Sequence, residues 1–97
     1  FICTSDREHR ILYANKEAVR LAGYPSLREL MAHTHKGHFE ELVHPDDRQE
    51  LFIGREQGHP FHMLTRNGSS RYCRGNSRMV YNNFYGKVIY ILVMEIV

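Results

Sequence analysis

Tryptophan is absent from this chain of 97 residues, and cysteine and proline are scarce, with two and three copies. Cys3 and Cys73 are too few to form the disulfide framework of a small secreted domain, so we expect free thiols in the reducing cytoplasm. Long apolar runs are missing too. The longest one, residues 88–94, is much shorter than the roughly 20 residues of a membrane-spanning helix. These absences favour a cytoplasmic globular domain that does not insert into a membrane.

A strong charge of either sign is also missing. The 13 Lys and Arg residues are interleaved with 11 Asp and Glu residues, and the formal net charge is +2. This distribution is typical of a solvated surface and argues against nucleic acid as a partner. Apolar residues make up 42% of the chain, which is enough for one modest core. Because the chain starts without Met and ends inside an apolar run, we expect a single domain, residues 1–97, taken from a longer multidomain protein.

Local signals predict a helical middle section with strands on both sides. Asn15 is placed to cap a helix that Gly23 ends, and Ser26 with Glu29 forms a capping box for a second helix. Apolar, β-prone segments predict five strands, at residues 1–4, 11–13, 61–66, 70–81 and 85–97. The order predicts an α+β fold: a five-stranded antiparallel sheet with short helices packed on one face.

Two further segments carry specific local signals. In Val43-His44-Pro45-Asp46-Asp47-Arg48, the proline suits the start of a helix to about residue 55, and the two carboxylates lie at the positive end of its dipole. In Thr65-Arg66-Asn67-Gly68-Ser69-Ser70-Arg71-Tyr72, the Asn-Gly pair predicts a hairpin with a type I′ turn. A helix start followed by a hairpin favours a sensor module over a catalytic one.

Five short motifs follow one another in the order and spacing of a known family. They are Ile11-Leu12-Tyr13-Ala14-Asn15, Gly23-Tyr24-Pro25-Ser26, Val43-His44-Pro45-Asp46-Asp47, Arg66-Asn67-Gly68-Ser69 and Met94-Glu95-Ile96-Val97. Over nearly its whole length the chain resembles a PAS domain, which implies a PAS-like fold and a sensory role. The His-Pro-Asp-Asp version is similar to the subgroup common in bacterial sensor histidine kinases and diguanylate cyclases.

The chain departs from the family pattern at two positions. Tyr72 stands near the usual Trp, and Glu95 stands where the final motif usually has Asp. In the family this acidic residue holds the sensor core against its output helix. The resemblance therefore implies that Glu95 relays the signal.

Catalysis is not expected of this domain. Asp46 and Asp47 are adjacent, and successive residues on a helix point about 100° apart, so the two carboxylates do not converge on one substrate atom. The sequence shows no set of nucleophile, base and orienting residue. We therefore expect a regulatory domain rather than an enzyme.

The sequence contains few residues that match the binding site of a known cofactor. His33, His35 and His38 share one loop, but no Cys or carboxylate completes a metal-ligand set at a recognisable spacing, so no metal site is predicted. Haem-binding members of the family carry their ligand on or near the long helix, and residues 48–58 contain no His. Flavin photosensors need a reactive Cys that residues 38–43 lack. No cofactor is favoured, and a haem- or flavin-binding redox or gas sensor is the alternative.

A small organic ligand would bind between the sheet and the helices. Strand alternation and the family resemblance predict an apolar pocket lined by Phe39, Leu42, Leu51, Phe52, Met63, Tyr72, Ile89, Ile91 and Val93. The same side chains would equally well fill a closed core, and the sequence leaves both possibilities open.

The last strand predicts a partner surface because it does not alternate between apolar and polar residues. If Ile89, Ile91 and Val93 face the core, an outward apolar face remains. It consists of Val88, Tyr90, Leu92 and Met94. Such a face must be covered, either by a flanking helix of the parent chain or by a second copy, and we expect a homodimer through the outer side of the sheet.

These observations predict a sensory PAS domain of a bacterial signalling protein. It would bind a small ligand, dimerise, or do both, and would regulate a C-terminal output domain, a diguanylate cyclase or a histidine kinase. One alternative is a ligand-free module that only pairs two chains.

Overall fold

A computed structural model describes residues 1–50 and 58–96 of the chain. Within these ranges the strands are β1 (Ile2–Thr4), β2 (Ile11–Tyr13), β3 (His59–Leu64), β4 (Ser70–Asn82) and β5 (Gly86–Glu95). Two α-helices, α1 (Lys16–Leu21) and α2 (Leu27–His33), lie between β2 and β3, followed by 3-10 helices at Phe39–Leu42 and Pro45–Glu50. The sequence order of strands and helices is as predicted.

The five strands form one antiparallel sheet with the order β2-β1-β5-β4-β3. β5 is the middle strand, and it pairs with β4 on one side and with the short β1 on the other. The core lies between the sheet and the helices, where Leu30, Phe39 and Met63 have no exposed surface. The predicted α+β fold is therefore confirmed.

The two α-helices begin at the predicted caps. The Asn15 side-chain oxygen accepts a hydrogen bond from the Ala18 N–H at 2.9 Å, and the Ser26 hydroxyl oxygen accepts one from the Glu29 N–H at 3.2 Å. After α1, Gly23 has a φ of +85°, a conformation that L side chains rarely adopt. Short local signals thus determine both helix starts and one stop.

Two predictions for the helix start and the hairpin need correction. From Pro45 to Glu50 the chain is a 3-10 helix, in which the Asp47 N–H bonds to the His44 carbonyl; the predicted continuation to residue 55 lies outside the described residues. The type I′ turn is wrong, because only Gly68 of the Asn67-Gly68 pair has a positive φ. The Asn67 side-chain oxygen instead accepts hydrogen bonds from the Ser69 N–H and from the Thr65 and Ser69 hydroxyls.

The start of β3 also differs from the prediction, because the strand includes Pro60. β3 is an edge strand, and its backbone bonds to β4 run through alternate residues such as Thr65, which pairs with Ser69. By this alternation the backbone nitrogen of residue 60 points away from β4. A proline, which has no N–H, is tolerated there.

The irregular loop between α2 and the first 3-10 helix is organised by one carboxylate. Glu41 accepts hydrogen bonds from the N–H groups of His35 (2.6 Å), Lys36 (3.0 Å) and His38 (2.9 Å). Burial on its own would raise the pKa of Glu41, but the three N–H groups together hold that pKa below its usual value. The charged form of Glu41 therefore stabilises the fold.

Replacing Glu41 with Gln should lower the free energy of unfolding by about 1 kcal/mol at pH 7, because an amide is a weaker acceptor than a carboxylate. The folded-state pKa is depressed, so the stabilisation is present above the unfolded pKa of about 4.3 and is lost as the pH falls through the folded pKa. Urea unfolding from pH 7 to pH 3 should show the difference between wild type and Glu41→Gln shrinking below about pH 4. Glu29→Gln, on the exposed side of α2, is the matched control. A difference that does not change with pH would contradict this role of the charge.

Candidate functional site

The interior between sheet and helices holds most of the described residues of the predicted pocket. Phe39, Leu42, Met63, Ile89 and Ile91 are buried there, and Val93 is partly buried against them. Leu51 and Phe52 lie outside the described residues.

Tyr72 does not belong to this interior set. Its side chain is 46% exposed and lies beside the His62 ring, with ring centroids 5.0 Å apart. The reason is the pairing of β4 with β3, in which Cys73 lies opposite Phe61 and both are buried. The residue before Cys73 must then face the other side of the sheet. Cys73 and Phe61 are core residues of β4 and β3 that the predicted pocket does not include, and the alternation of Phe61 with Met63 is the signal that could have identified Phe61.

The described interior is apolar and closely packed. The Phe1 and Phe39 rings meet edge to face with centroids 5.2 Å apart. Among residues 1–50 and 58–96, no buried side-chain nitrogen or oxygen lacks a hydrogen-bond partner. Burial raises the pKa of the Cys3 thiol to about 12 and that of the Cys73 thiol to about 11. The chemistry of these walls suits an apolar occupant or a filled core, and it offers no charged anchor.

His33, His35 and His38 each take part in a structural contact, His33 at the end of α2 through its ring and the other two through their backbone. The Nδ1 atom of His33 lies 2.7 Å from the Tyr24 hydroxyl, and the backbone N–H groups of His35 and His38 bond to Glu41. No group of three or more His, Cys, Asp or Glu side chains in the described part of the chain is arranged to hold a metal ion.

The His-Pro-Asp-Asp segment is fastened to β3. One carboxylate oxygen of Asp47 accepts a hydrogen bond from the His62 N–H at 2.7 Å and lies 3.0 Å from the His62 ring Nδ1 atom. The backbone bond from His62 is the main cause that lowers the pKa of Asp47. The motif therefore has an attachment role in addition to its place at a helix start.

The outward side of β5 exposes apolar side chains, as predicted for three of four residues. Leu92 and Met94 are 61% and 60% exposed, and Tyr90 is partly exposed. Val88 lies on the same side of β5 as predicted, but it is only 1% exposed, so the prediction that it belongs to the exposed face is wrong. The Tyr90 hydroxyl accepts a hydrogen bond from the Asn82 side chain at 2.9 Å. Because Asn82 lies opposite Gly86, the Tyr90 ring must cross over Val88 to reach it.

An apolar groove of about 430 Å³ runs across this outward face. Its walls include Ile2 and Tyr13 from β1 and β2, and Tyr90 and Leu92 from β5. Arg78 of β4 also lines it. Four strands thus contribute to one continuous surface centred on the middle strand.

Glu95, the predicted relay residue, lies at the end of β5. Its carboxylate is 3.4 Å from the Arg71 guanidinium. Glu17 is the main cause that raises the pKa of Arg20 on α1, and Glu95 adds to that rise. A cavity of about 260 Å³ separates α1 from this end of β5. The next residue, Ile96, donates its N–H to the Tyr72 carbonyl at 2.9 Å. The closing motif is therefore held to β4 by this ion pair and by backbone pairing that continues from β5 to Ile96.

Within the described residues, none of the helices has the length and apolar character needed to cross a bilayer. A search of curated proteins found no match to this chain. A crystal structure of the PAS domain of a protein from Desulfitobacterium hafniense is similar, with a TM-score of 0.70 at 20% identity; the match covers 98% of this chain and 89% of the other. The family model for the PAS fold matches residues 1–94. This match spans nearly all of the sequence, and the chain belongs to the PAS family.

Proposed function

We propose that this domain is a signalling module that pairs with a second copy through the outward face of its sheet and regulates an output domain in the same chain. PAS domains are sensory and regulatory modules rather than catalysts, so the general role follows from the family. The pairing, the signal and the output domain are the proposal.

The observation that carries the proposal is the exposure of Leu92 and Met94 on the middle strand of the sheet. The middle of a sheet face is the place where apolar side chains are normally covered by another layer. Removing apolar surface from water is worth about 25 cal/mol per Å², so covering this face would contribute several kcal/mol. A second copy presents the same apolar face.

The geometry of β5 supports a coupling between the interior and this face. Ile89 and Ile91 point into the core, and the residues between and beyond them, Tyr90 and Leu92, point outward. A change of packing in the interior would therefore move the partner face through one strand. The same strand ends at Glu95, which we propose as the relay to the output domain. From the resemblance of the His-Pro-Asp-Asp segment we propose a bacterial diguanylate cyclase or histidine kinase as that output.

An apolar ligand in the interior is the second candidate signal, and the apolar walls around Met63 and Ile91 favour it over a charged one. Such a ligand can shift the output only by its difference in affinity for two states of the domain. Without a ligand, the domain would act through assembly alone.

Leu92→Lys and Met94→Lys should each convert the dimer into a monomer, because a charge in the covered face would lose its hydration. Sedimentation velocity over a range of concentrations measures the change. Ala32→Lys, which adds the same charge on the exposed side of α2, is the matched control and should leave the dimer intact. An unchanged association state in both sheet variants would refute pairing through this face.

The nature of the signal can be tested on the purified protein. We expect no absorption band in the visible region, because the sequence favours neither haem nor flavin. If the interior is a sensing pocket, denaturing the protein should release a small apolar compound, which mass spectrometry would detect. Met63→Ala provides the structural comparison: loss of about 2–5 kcal/mol in stability is expected for a filled core, and a much smaller loss for a side chain that lines an open pocket. A visible band would overturn the cofactor-free proposal.

A further inference from the structure

One row of side chains crosses the outward face at right angles to the strands. Cα pairing places Ile2 opposite both Tyr13 and Tyr90, and Tyr90 opposite Arg78. Directly paired residues in neighbouring antiparallel strands point to the same side of a sheet. The row therefore reads Tyr13, Ile2, Tyr90, Arg78 from β2 to β4, and all four residues line the same groove.

The two ends of this row are chemically complementary. Tyr13, at the β2 end, is 45% exposed and presents an aromatic ring. Arg78, at the β4 end, is exposed and forms no ion pair with any side chain in the described ranges. The outward positions of β1, β4 and β5 carry no carboxylate that could pair with it. A guanidinium without an acid is well matched to the face of an aromatic ring.

We propose that two copies pair face to face with their β5 strands parallel, so that Arg78 of each copy stacks on Tyr13 of the other. This inference rests on the proposed pairing through the outward face and adds its register and its specificity contact. A two-fold axis parallel to β5, between Ile2 and Tyr90, exchanges the two ends of the row. It places Arg78 over Tyr13 twice and Tyr90 over Ile2 twice, in one isologous interface.

The other simple arrangement is disfavoured by charge. A two-fold axis running across the strands would place β4 of one copy on β4 of the other. Arg74 and Arg78 both point outward from β4, so four guanidinium groups would be brought together. With no carboxylate on the outward positions of the surrounding strands, this repulsion would have no compensation. The parallel arrangement separates the arginines and gives Arg78 an aromatic partner.

The face has the scale of a small dimer interface. Strands of 3, 3, 6, 13 and 10 residues, at about 3.3 Å per residue and about 4.8 Å per strand, give a face on the order of 550 Å². This is below the roughly 800 Å² that each partner buries in a standard interface, so we expect a dimer of modest affinity. A second copy on this face would cover the exposed Leu92 and Met94 together with the row.

A charge swap tests the register. Tyr13→Lys and Arg78→Glu should each weaken the dimer about 10- to 100-fold in Kd, since each removes two symmetric cation–π contacts, and Tyr13→Lys also adds repulsion. The double variant Tyr13→Lys/Arg78→Glu should recover most of the affinity through a lysine–glutamate pair between copies. Tyr13→Glu places a carboxylate beneath Arg78 of the other copy. This variant should therefore dimerise at least as tightly as Tyr13→Ala.

Sedimentation equilibrium gives each Kd, and thermal unfolding verifies that each variant is folded. Tyr81→Lys is the matched control, because Tyr81 is an exposed tyrosine that points to the opposite side of the sheet. If Leu92→Lys breaks the dimer while Tyr13→Lys and Arg78→Glu leave its Kd unchanged, the face is right and the register is wrong. Two single variants that weaken the dimer without recovery in the double variant also overturn the contact. A wild-type protein that stays monomeric overturns the proposed pairing itself.

Discussion

The two-sided strand β5 is the constraint on which the rest of the structure depends. It is paired with β4 through ten residue pairs, while β1 covers only three of its positions on the other edge. One side of β5 supplies the floor of the core through Ile89 and Ile91, and the other side is the centre of the outward face. Because neighbouring residues on the same backbone serve the two faces, neither face can rearrange without the other. This is the physical basis for expecting an interior signal to reach a partner.

The fold was predictable from local chemistry. The errors about which side chains are buried arose where a residue on another strand, or farther along the same hairpin, decides a position. The caps at Asn15 and Ser26 and the left-handed Gly23 depend on a few neighbouring residues, so the sequence contains all the information needed. Tyr72 is different, because its side of the sheet is determined by the pairing of Cys73 with Phe61. Val88 is covered because the Tyr90 ring reaches across it to the Asn82 side chain. The alternation of apolar and polar residues along one strand does not predict this contact.

The motifs that identify the family are attachment points rather than binding chemistry. Asp47 joins the His-Pro-Asp-Asp segment to β3 through His62, and the Asn67 side chain closes the next hairpin through Thr65 and Ser69. Glu41 does similar work in a loop that contains no recognisable motif. This explains why the scaffold could be recognised from the sequence while the signal could not. Several of the apolar residues that we propose to meet a ligand or a partner, such as Met63, Ile91 and Leu92, lie outside these motifs.

The two buried cysteines have a consequence for how this domain responds to chemistry around it. Burial raises the pKa of both thiols, to about 11 for Cys73 and about 12 for Cys3, so at neutral pH both are almost entirely protonated. Thiolates are the reactive form, and both sulfur atoms are also shielded by the sheet and helices. We therefore expect oxidants and alkylating reagents to modify these thiols slowly, at a rate that reports how often the fold opens around them.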